Sequence, residues 1–377
     1  METEAMQELL HYYEKNTKQK LKDMVKKAAG RYVPPKDLIF WPTGLLANAL
    51  MERVIEGGKQ EAEESGHEHV AAQKSGKRVD AIGTCFSRWI RAGMPIYCVD
   101  DALCGTALID LYLLTREEKY KVGADKMAEY LFLVEQRHAD AIGSIPYRPA
   151  QGNGHIYVDG IGMMCPFLAK YGVTFGNEKT IRMALKQIEN MLAYGMDAAS
   201  GLPYHGFQYE NGVKYGIIGW GRAVGWLMLG IAGVICALRG GLQSEDTAQY
   251  QAECKQMENA FWGLVQAIIP YQKPNGAFGW QLPAMEGPED SSATAMIAWA
   301  LQMVTGGTNV KKVLSSAAAY LAACEKDGKI YNCSGECLGF AQYPQVYGAY
   351  PWSLGPAYAV LAGNPIEPRR RKIDKPE

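Results

Sequence analysis

Tyr157-Val158-Asp159-Gly160-Ile161-Gly162-Met163-Met164-Cys165-Pro166-Phe167-Leu168 is a small-residue, apolar run with one charge, Asp159, near its start. A segment apolar on nearly every side predicts a helix buried all round. Comparable segments begin near Trp41, Asp100, Trp220, Ser291 and Trp352, so that the starts fall at 41, 100, 159, 220, 291 and 352. The intervals are 59, 59, 61, 71 and 61 residues. A period near sixty signals an internal repeat. Between the apolar segments lie charged amphipathic ones, several opening on helix-starting chemistry: Thr115-Arg116-Glu117-Glu118, Gly176-Asn177-Glu178-Lys179 and Gln243-Ser244-Glu245-Asp246-Thr247. Polar caps and early acidic residues favour helix N-termini.

Each repeat therefore predicts a buried helix followed by a half-exposed one. Six such pairs give an all-α fold, an (α/α)6 barrel of six inner and six outer helices, expected to form a single domain over residues 1–377. A linear solenoid is the competing architecture. The closed barrel is preferred because the long, aromatic loops all precede inner helices, which places them at one end. Residues 3–29 predict an amphipathic helix stopped by Pro34 and Pro35, and the charged stretch from Lys59 to Lys77 another helix. Short β pieces are expected near Ile145-Pro146-Tyr147, Gly206 to Tyr215 and Asn275 to Trp280.

Composition narrows the function. A net charge of −1 shows no basic excess and argues against nucleic acid or an anionic membrane as partner. No run reaches the length of an uninterrupted apolar membrane span, and the polar start Met1-Glu2-Thr3-Glu4-Ala5 does not read as a signal peptide. Nine cysteines, an odd number set mostly in apolar runs, suit buried thiols in a reducing compartment, so a cytoplasmic location is expected. Cys333 and Cys337 lack a matching pair. His67 and His69 lack further ligands and are expected on a solvated face. No metal and no cofactor is expected.

A barrel gathers the starts of its inner helices around one cavity. Trp41, Asp100, Asp101, Asp159, Trp220, Arg222, Glu289, Asp290 and Trp352 stand there, and the preceding loops add Arg148, His155, Tyr204 and His205. Acids, an arginine and aromatic rings suit a sugar acid, because aromatic faces stack on sugar C–H faces and arginine pairs with a carboxylate in a fork. A carboxylate desolvated at a helix mouth has its pKa pushed upward, as a general acid requires. Structural roles compete at each position. Asp159 and one of Asp100 and Asp101 can be helix caps, as can Glu289 and Asp290. Arg222 can pair with a neighbouring carboxylate. His205 can be a hydrogen-bonded loop residue, and Trp226 and the methionines core.

The residues Trp41-Pro42-Thr43-Gly44, Asp100 with Gly105 and Leu108 to Tyr112, Tyr157-Val158-Asp159-Gly160 with Met164 and Pro166-Phe167-Leu168, Gly201-Leu202-Pro203-Tyr204-His205-Gly206, Trp220-Gly221-Arg222 with Gly225-Trp226, and Ser291-Ser292-Ala293-Thr294-Ala295 occur in order. Together they resemble the unsaturated rhamnogalacturonyl hydrolases of glycoside hydrolase family 105 and, more distantly, the unsaturated glucuronyl hydrolases of family 88. The resemblance implies the same (α/α)6 barrel. It also implies hydration of the C4=C5 bond in the terminal unsaturated uronic acid of an oligosaccharide, without metal or cofactor, followed by release of the next sugar. By this resemblance Asp159 is the general acid and base, and Asp100, Trp41, Arg148, His205, Arg222 and Trp226 bind substrate. Three positions depart from the pattern and bear on the neighbouring sugar: Gln208 replaces an acid, Ala223-Val224 replaces the Gly-x after the arginine, and Tyr157 replaces a Trp.

The expected enzyme is a monomer or weak homo-oligomer acting on unsaturated galacturonyl-rhamnose from pectin-type rhamnogalacturonan. Alternatives are an unsaturated glucuronyl hydrolase, a sugar epimerase or isomerase on the same barrel type, and a non-enzymatic helical-repeat binding module. An isomerase needs histidines on inner helices. Only six His are present, and of these only His155 and His205 fall near the mouth.

Overall fold

The computed structural model describes residues 1–11, 22, 24–26, 38–63, 68–149, 152, 154–241, 250–304, 308–338 and 342–363. The prolines at 34 and 35, most of the 12–29 stretch, His67 and the Gln243–Thr247 cap lie outside them, as does the side chain of His69. The helices are α1 (Glu2–His11), α2 (Trp41–Glu63), α3 (Glu68–Arg91), α4 (Gly105–Thr115), α5 (Glu118–His138), α6 (Val158–Phe175), α7 (Glu178–Tyr194), α8 (Gly221–Gly241), α9 (Gln251–Ile268), α10 (Ser291–Met303), α11 (Thr308–Cys324) and α12 (Pro351–Gly363). A 3-10 turn, Val99–Cys104, leads into α4.

The even-numbered helices form a closed ring. Helix α2 packs on the 3-10 turn and α4, these on α6, α6 on α8, α8 on α10, α10 on α12, and α12 returns to α2. The odd-numbered helices pack outside. This is the (α/α)6 barrel. The sixth pair differs from the expected inner-then-outer order: α1 packs against α12, α2 and α3, so the chain's two ends together supply the last inner and outer helices.

Small residues let the inner helices approach. A Cβ on Gly162 of α6 would sit 2.6 Å from the Trp226 carbonyl of α8, and one on Gly225 would sit 2.7 Å from the Met296 Cβ of α10. Core density of this kind leaves no room for an added methyl. Helix α8 over Gly221–Gly240 is long and apolar enough to cross a membrane, but 89% of that window is buried in the protein. Its apolarity is that of a helix surrounded by neighbours. All nine cysteines are free thiols.

The loops before the inner helices carry the strands. β1 (Ile156–Tyr157), β2 (Gly206–Gln208) and β3 (Val213–Tyr215) form an antiparallel sheet, pairing Ile156 with Phe207 and Gly206 with Tyr215. β4 (Glu325–Lys326) pairs with β5 (Lys329–Ile330), and β6 (Cys333–Ser334) with β7 (Tyr347–Gly348). The strand expected at Ile145–Tyr147 is absent; that segment makes one backbone bond, from Tyr147 N to His155 O at 3.0 Å. Around Asn275 to Trp280 only isolated bridges occur, because single pairings hold that loop. The β6–β7 arm, which carries no periodic signal, was not anticipated.

Candidate active site

A cavity of about 620 Å³ opens where the inner helices begin, and Trp41, Asp100, Arg148, Asp159, His205, Arg222 and Trp226 all line it. His155 and Tyr204 do not. The His155 ring lies against Tyr215, at 4.7 Å, and Tyr204 lies under the Lys214 ammonium.

Asp159 sits in the first turn of α6. The cap position belongs to Tyr157, which makes no side-chain capping bond, so the cap role considered for Asp159 is not what the fold uses it for. Asp159 as a whole is 8% exposed. Nε2 of His205 lies 3.1 Å from Asp159 Oδ2. Oδ2 accepts no well-directed hydrogen bond, so the contact is a close ion-pair approach of the Nε2 side of the ring to the carboxylate. The β1–β2 junction fixes this meeting: Val158 N donates to His205 O at 2.9 Å, and His205 N donates to Tyr215 O at 3.1 Å. Burial pulls the His205 pKa down, but the Asp159 carboxylate, aided by Cys337, overrides it and pushes it up to about 9.

The two neighbouring acids separate cleanly. Asp101 is turned into its own loop, where Oδ2 accepts from Tyr97 N at 2.9 Å, and burial pushes its pKa up to about 7. Asp100 faces the cavity. Its Oδ2 accepts from the Tyr147 hydroxyl at 2.8 Å, and its buried Oδ1 has no partner. Burial raises its pKa against the pull of Tyr147 and Arg148. A buried oxygen left without a donor costs free energy unless a ligand supplies one.

The two arginines also divide. Arg222, 3% exposed, donates from Nη1 to Ser334 Oγ at 2.6 Å, Ser334 O at 3.0 Å and Ser292 Oγ at 3.3 Å, and from Nη2 to Gly335 O at 2.7 Å. Asp290, 3.8 Å away, neutralises it. Asp290 also caps α10 by accepting from Ser292 N, as expected for that position. Arg222 thus anchors the β6–β7 arm to the barrel. Arg222 also lines the cavity, and these bonds engage Nη1 and one direction of Nη2 while Nε takes part in none of them. Arg148 is the available cation. It makes no hydrogen bond to any described residue, lies over the Tyr147 ring at 5.3 Å and is exposed at the cavity.

Aromatic rings form the remaining wall. Trp41 meets Trp226 edge-on at 5.9 Å and Trp352 at 5.2 Å, and Trp352 stacks on Tyr350 at 4.6 Å. Trp352 backs the wall and does not line the cavity. Tyr147, Tyr157, Glu336 and Cys337 line it and were not singled out as site residues from sequence. Tyr147 stands in a segment read from the sequence only as a short β piece. Glu336 and Cys337 carried no signal.

Residues 12–362 match the family model described as Glycosyl Hydrolase Family 88. The chain belongs to glycosyl hydrolase family 88. It is similar to the unsaturated rhamnogalacturonyl hydrolase YesR of Bacillus subtilis strain 168, with 24% identity over 301 residues, which is 77% of this chain and 84% of that protein. Among solved structures it is similar to a family 105 glycoside hydrolase from C. acetobutylicum ATCC 824 (TM-score 0.67, 19% identity, 92% of this chain and 98% of that one). It is also similar to the unsaturated glucuronyl hydrolase of Bacillus sp. GL1 (TM-score 0.57, 17% identity, 89% and 88%). At those identities the solved structures establish the shared barrel. The family 88 assignment makes the chain a glycoside hydrolase, and the cavity at the inner-helix starts is its candidate active site.

Proposed function

We propose that this protein hydrates the C4=C5 bond of a terminal unsaturated uronic acid on an oligosaccharide, and that the neighbouring sugar is rhamnose from rhamnogalacturonan. The observation that carries the reading is the pairing of one enclosed carboxylate, Asp159, with a cation free to take the uronate carboxylate, Arg148, in one cavity. Protonated Asp159 delivers its proton to C4. Water adds at C5 and returns a proton to the Asp159 carboxylate, leaving a hemiketal. That hemiketal opens and expels the next sugar, so one water is consumed and Asp159 ends as it began. A single carboxylate in both roles needs no second acid at the spacing of ordinary paired-carboxylate glycosidases.

The other groups take supporting parts. The unpartnered Oδ1 of Asp100 accepts from a sugar hydroxyl. Trp41 and Trp226 wall the ring, and Arg148 pairs with the uronate in a fork. His205 holds Asp159 from the cavity wall. Arg222 contributes by fixing the arm that carries Glu336 and Cys337. The barrel acts as a single catalytic domain, and the nine free thiols favour a cytoplasmic place of work. The rhamnose assignment rests on the likeness to YesR.

The test follows the ultraviolet absorbance of the conjugated double bond, which hydration removes. Purified protein is expected to bleach unsaturated galacturonyl-rhamnose faster than unsaturated glucuronyl disaccharides. Preference for the glucuronyl substrates moves the enzyme to that specificity. Unchanged absorbance with every substrate overturns the reading.

A further inference from the structure

The His205 ring is held by more than Asp159, with Cys337 and Tyr343 also bonding to it, and the catalytic reading uses only the Asp159 contact. On the side away from Asp159, Nδ1 lies 3.0 Å from the Tyr343 hydroxyl. Tyr343 belongs to the β6–β7 arm, 138 residues further along the chain. Its hydroxyl is itself located by Ile217 N, which donates to it at 3.4 Å. The Tyr343 ring is wedged against Trp220 at 5.4 Å and meets Trp280 edge-on at 5.7 Å. His205 is 1% exposed, so in the folded protein Nδ1 is met by the phenol and not by bulk solvent.

We propose that Tyr343 is a positioning residue that acts on Asp159 through His205, its hydroxyl engaging Nδ1 so that the ring proton on Nε2 stays at the carboxylate. The proposal rests on the assignment of Asp159 as acid and base. A phenol suits this place because it both donates and accepts. With the ring neutral, the hydroxyl donates to Nδ1, which selects the Nε2–H tautomer. With the ring charged, Nδ1–H donates to the hydroxyl oxygen. The bond survives either state, so the ring keeps its orientation while charge at Asp159 changes through the cycle. The two imidazole nitrogens are distinct, and the partner of one decides what the other offers. Burial raises the Tyr343 pKa, which keeps its proton in place. The titratable groups facing the ring are Asp159 from α6, Tyr157 from β1, and Cys337 and Tyr343 from the arm.

The experiment combines kinetics with 15N NMR of the histidine rings in the intact protein, the His205 signals being assigned by their loss in His205→Gln. In wild type the neutral ring is expected as the Nε2–H tautomer. In Tyr343→Phe, kcat is expected to fall about tenfold with KM within about twofold, the pattern of a group that acts on the chemical step. The His205 pKa is expected to fall by about one unit, because the charged ring loses the acceptor for Nδ1–H. An Nδ1–H tautomer in wild type overturns the proposal, whether or not the variant folds. So does a Tyr343→Phe enzyme with unchanged kcat and unchanged His205 pKa. If wild type turns over no unsaturated uronyl substrate, the catalytic reading falls, and the NMR measurements still decide whether Tyr343 governs His205.

Discussion

The barrel has a cavity at each end, and the two are nearly equal in size: about 620 Å³ at the inner-helix starts and about 630 Å³ at the opposite end. Their charges are handled in opposite ways. At the opposite end Asp110 is matched by Lys170 at 2.5 Å, and Glu52 accepts from the Trp299 indole. The unpartnered oxygens lining that end include those of the neutral Asn48 and Thr106. At the inner-helix starts Asp100 keeps an unpartnered carboxyl oxygen, Asp159 keeps one without a directed hydrogen bond, and Arg148 stands ready as a cation. Volume therefore does not single out the candidate active site. Between the two cavities, carboxyl oxygens left without a donor distinguish the candidate site, since such arrangements persist where a ligand completes them.

The comparison breaks or sharpens by experiment. Asp159→Asn is expected to lower turnover at least about a thousandfold with the helical circular dichroism and melting curve retained. Near wild-type activity in that variant places the acid elsewhere. Arg148→Ala is expected to raise KM by roughly tenfold to a hundredfold, the loss of a charge-assisted pair, with a smaller effect on kcat. Saturation kinetics decide it, and an unchanged KM removes Arg148 from substrate binding.

Stability should respond to pH through His205. The His205 pKa lies above its ordinary value of 6.5, at about 9. Its contribution is therefore fully present below pH 6.5 and is lost as pH rises through about 9. Melting temperature is expected to drop by a few degrees across that window in wild type, and His205→Gln to flatten the drop. The smallest effect on catalysis is expected from Lys170→Met. It leaves kcat/KM within about twofold while costing about 1–3 kcal/mol of stability, because Asp110 loses its partner. Denaturant unfolding beside the activity assay measures both. A large loss of turnover shows that the two ends are coupled.

Much of this architecture was legible in the residues. The period near sixty located all six inner helices, and the long aromatic loops located the functional end. Asn177 does cap α7, accepting from Thr180 N, as its sequence context suggests. Other features were not legible, for specific reasons. The Asp100-Asp101 pair reads the same at either position, and only the loop path turns Asp101 inward and Asp100 outward. Arg222 reads as a ligand for a sugar acid, and nothing near it in the chain announces that it also bonds Ser334 and Gly335. Tyr343 and Cys337 lie in an arm without periodicity, so nothing nearby ties them to a histidine in a different repeat.

Sequence alone determined the helices, their alternation and the end at which chemistry collects, because burial patterns of 3.6-residue period are written locally and repeat with the fold. Tertiary structure decided which polar groups the scaffold itself bonds. That depends on partners as distant as the 112 residues between Arg222 and Ser334. It also decided how the ring closes, since the sixth helix pair exists only when α1 meets α12.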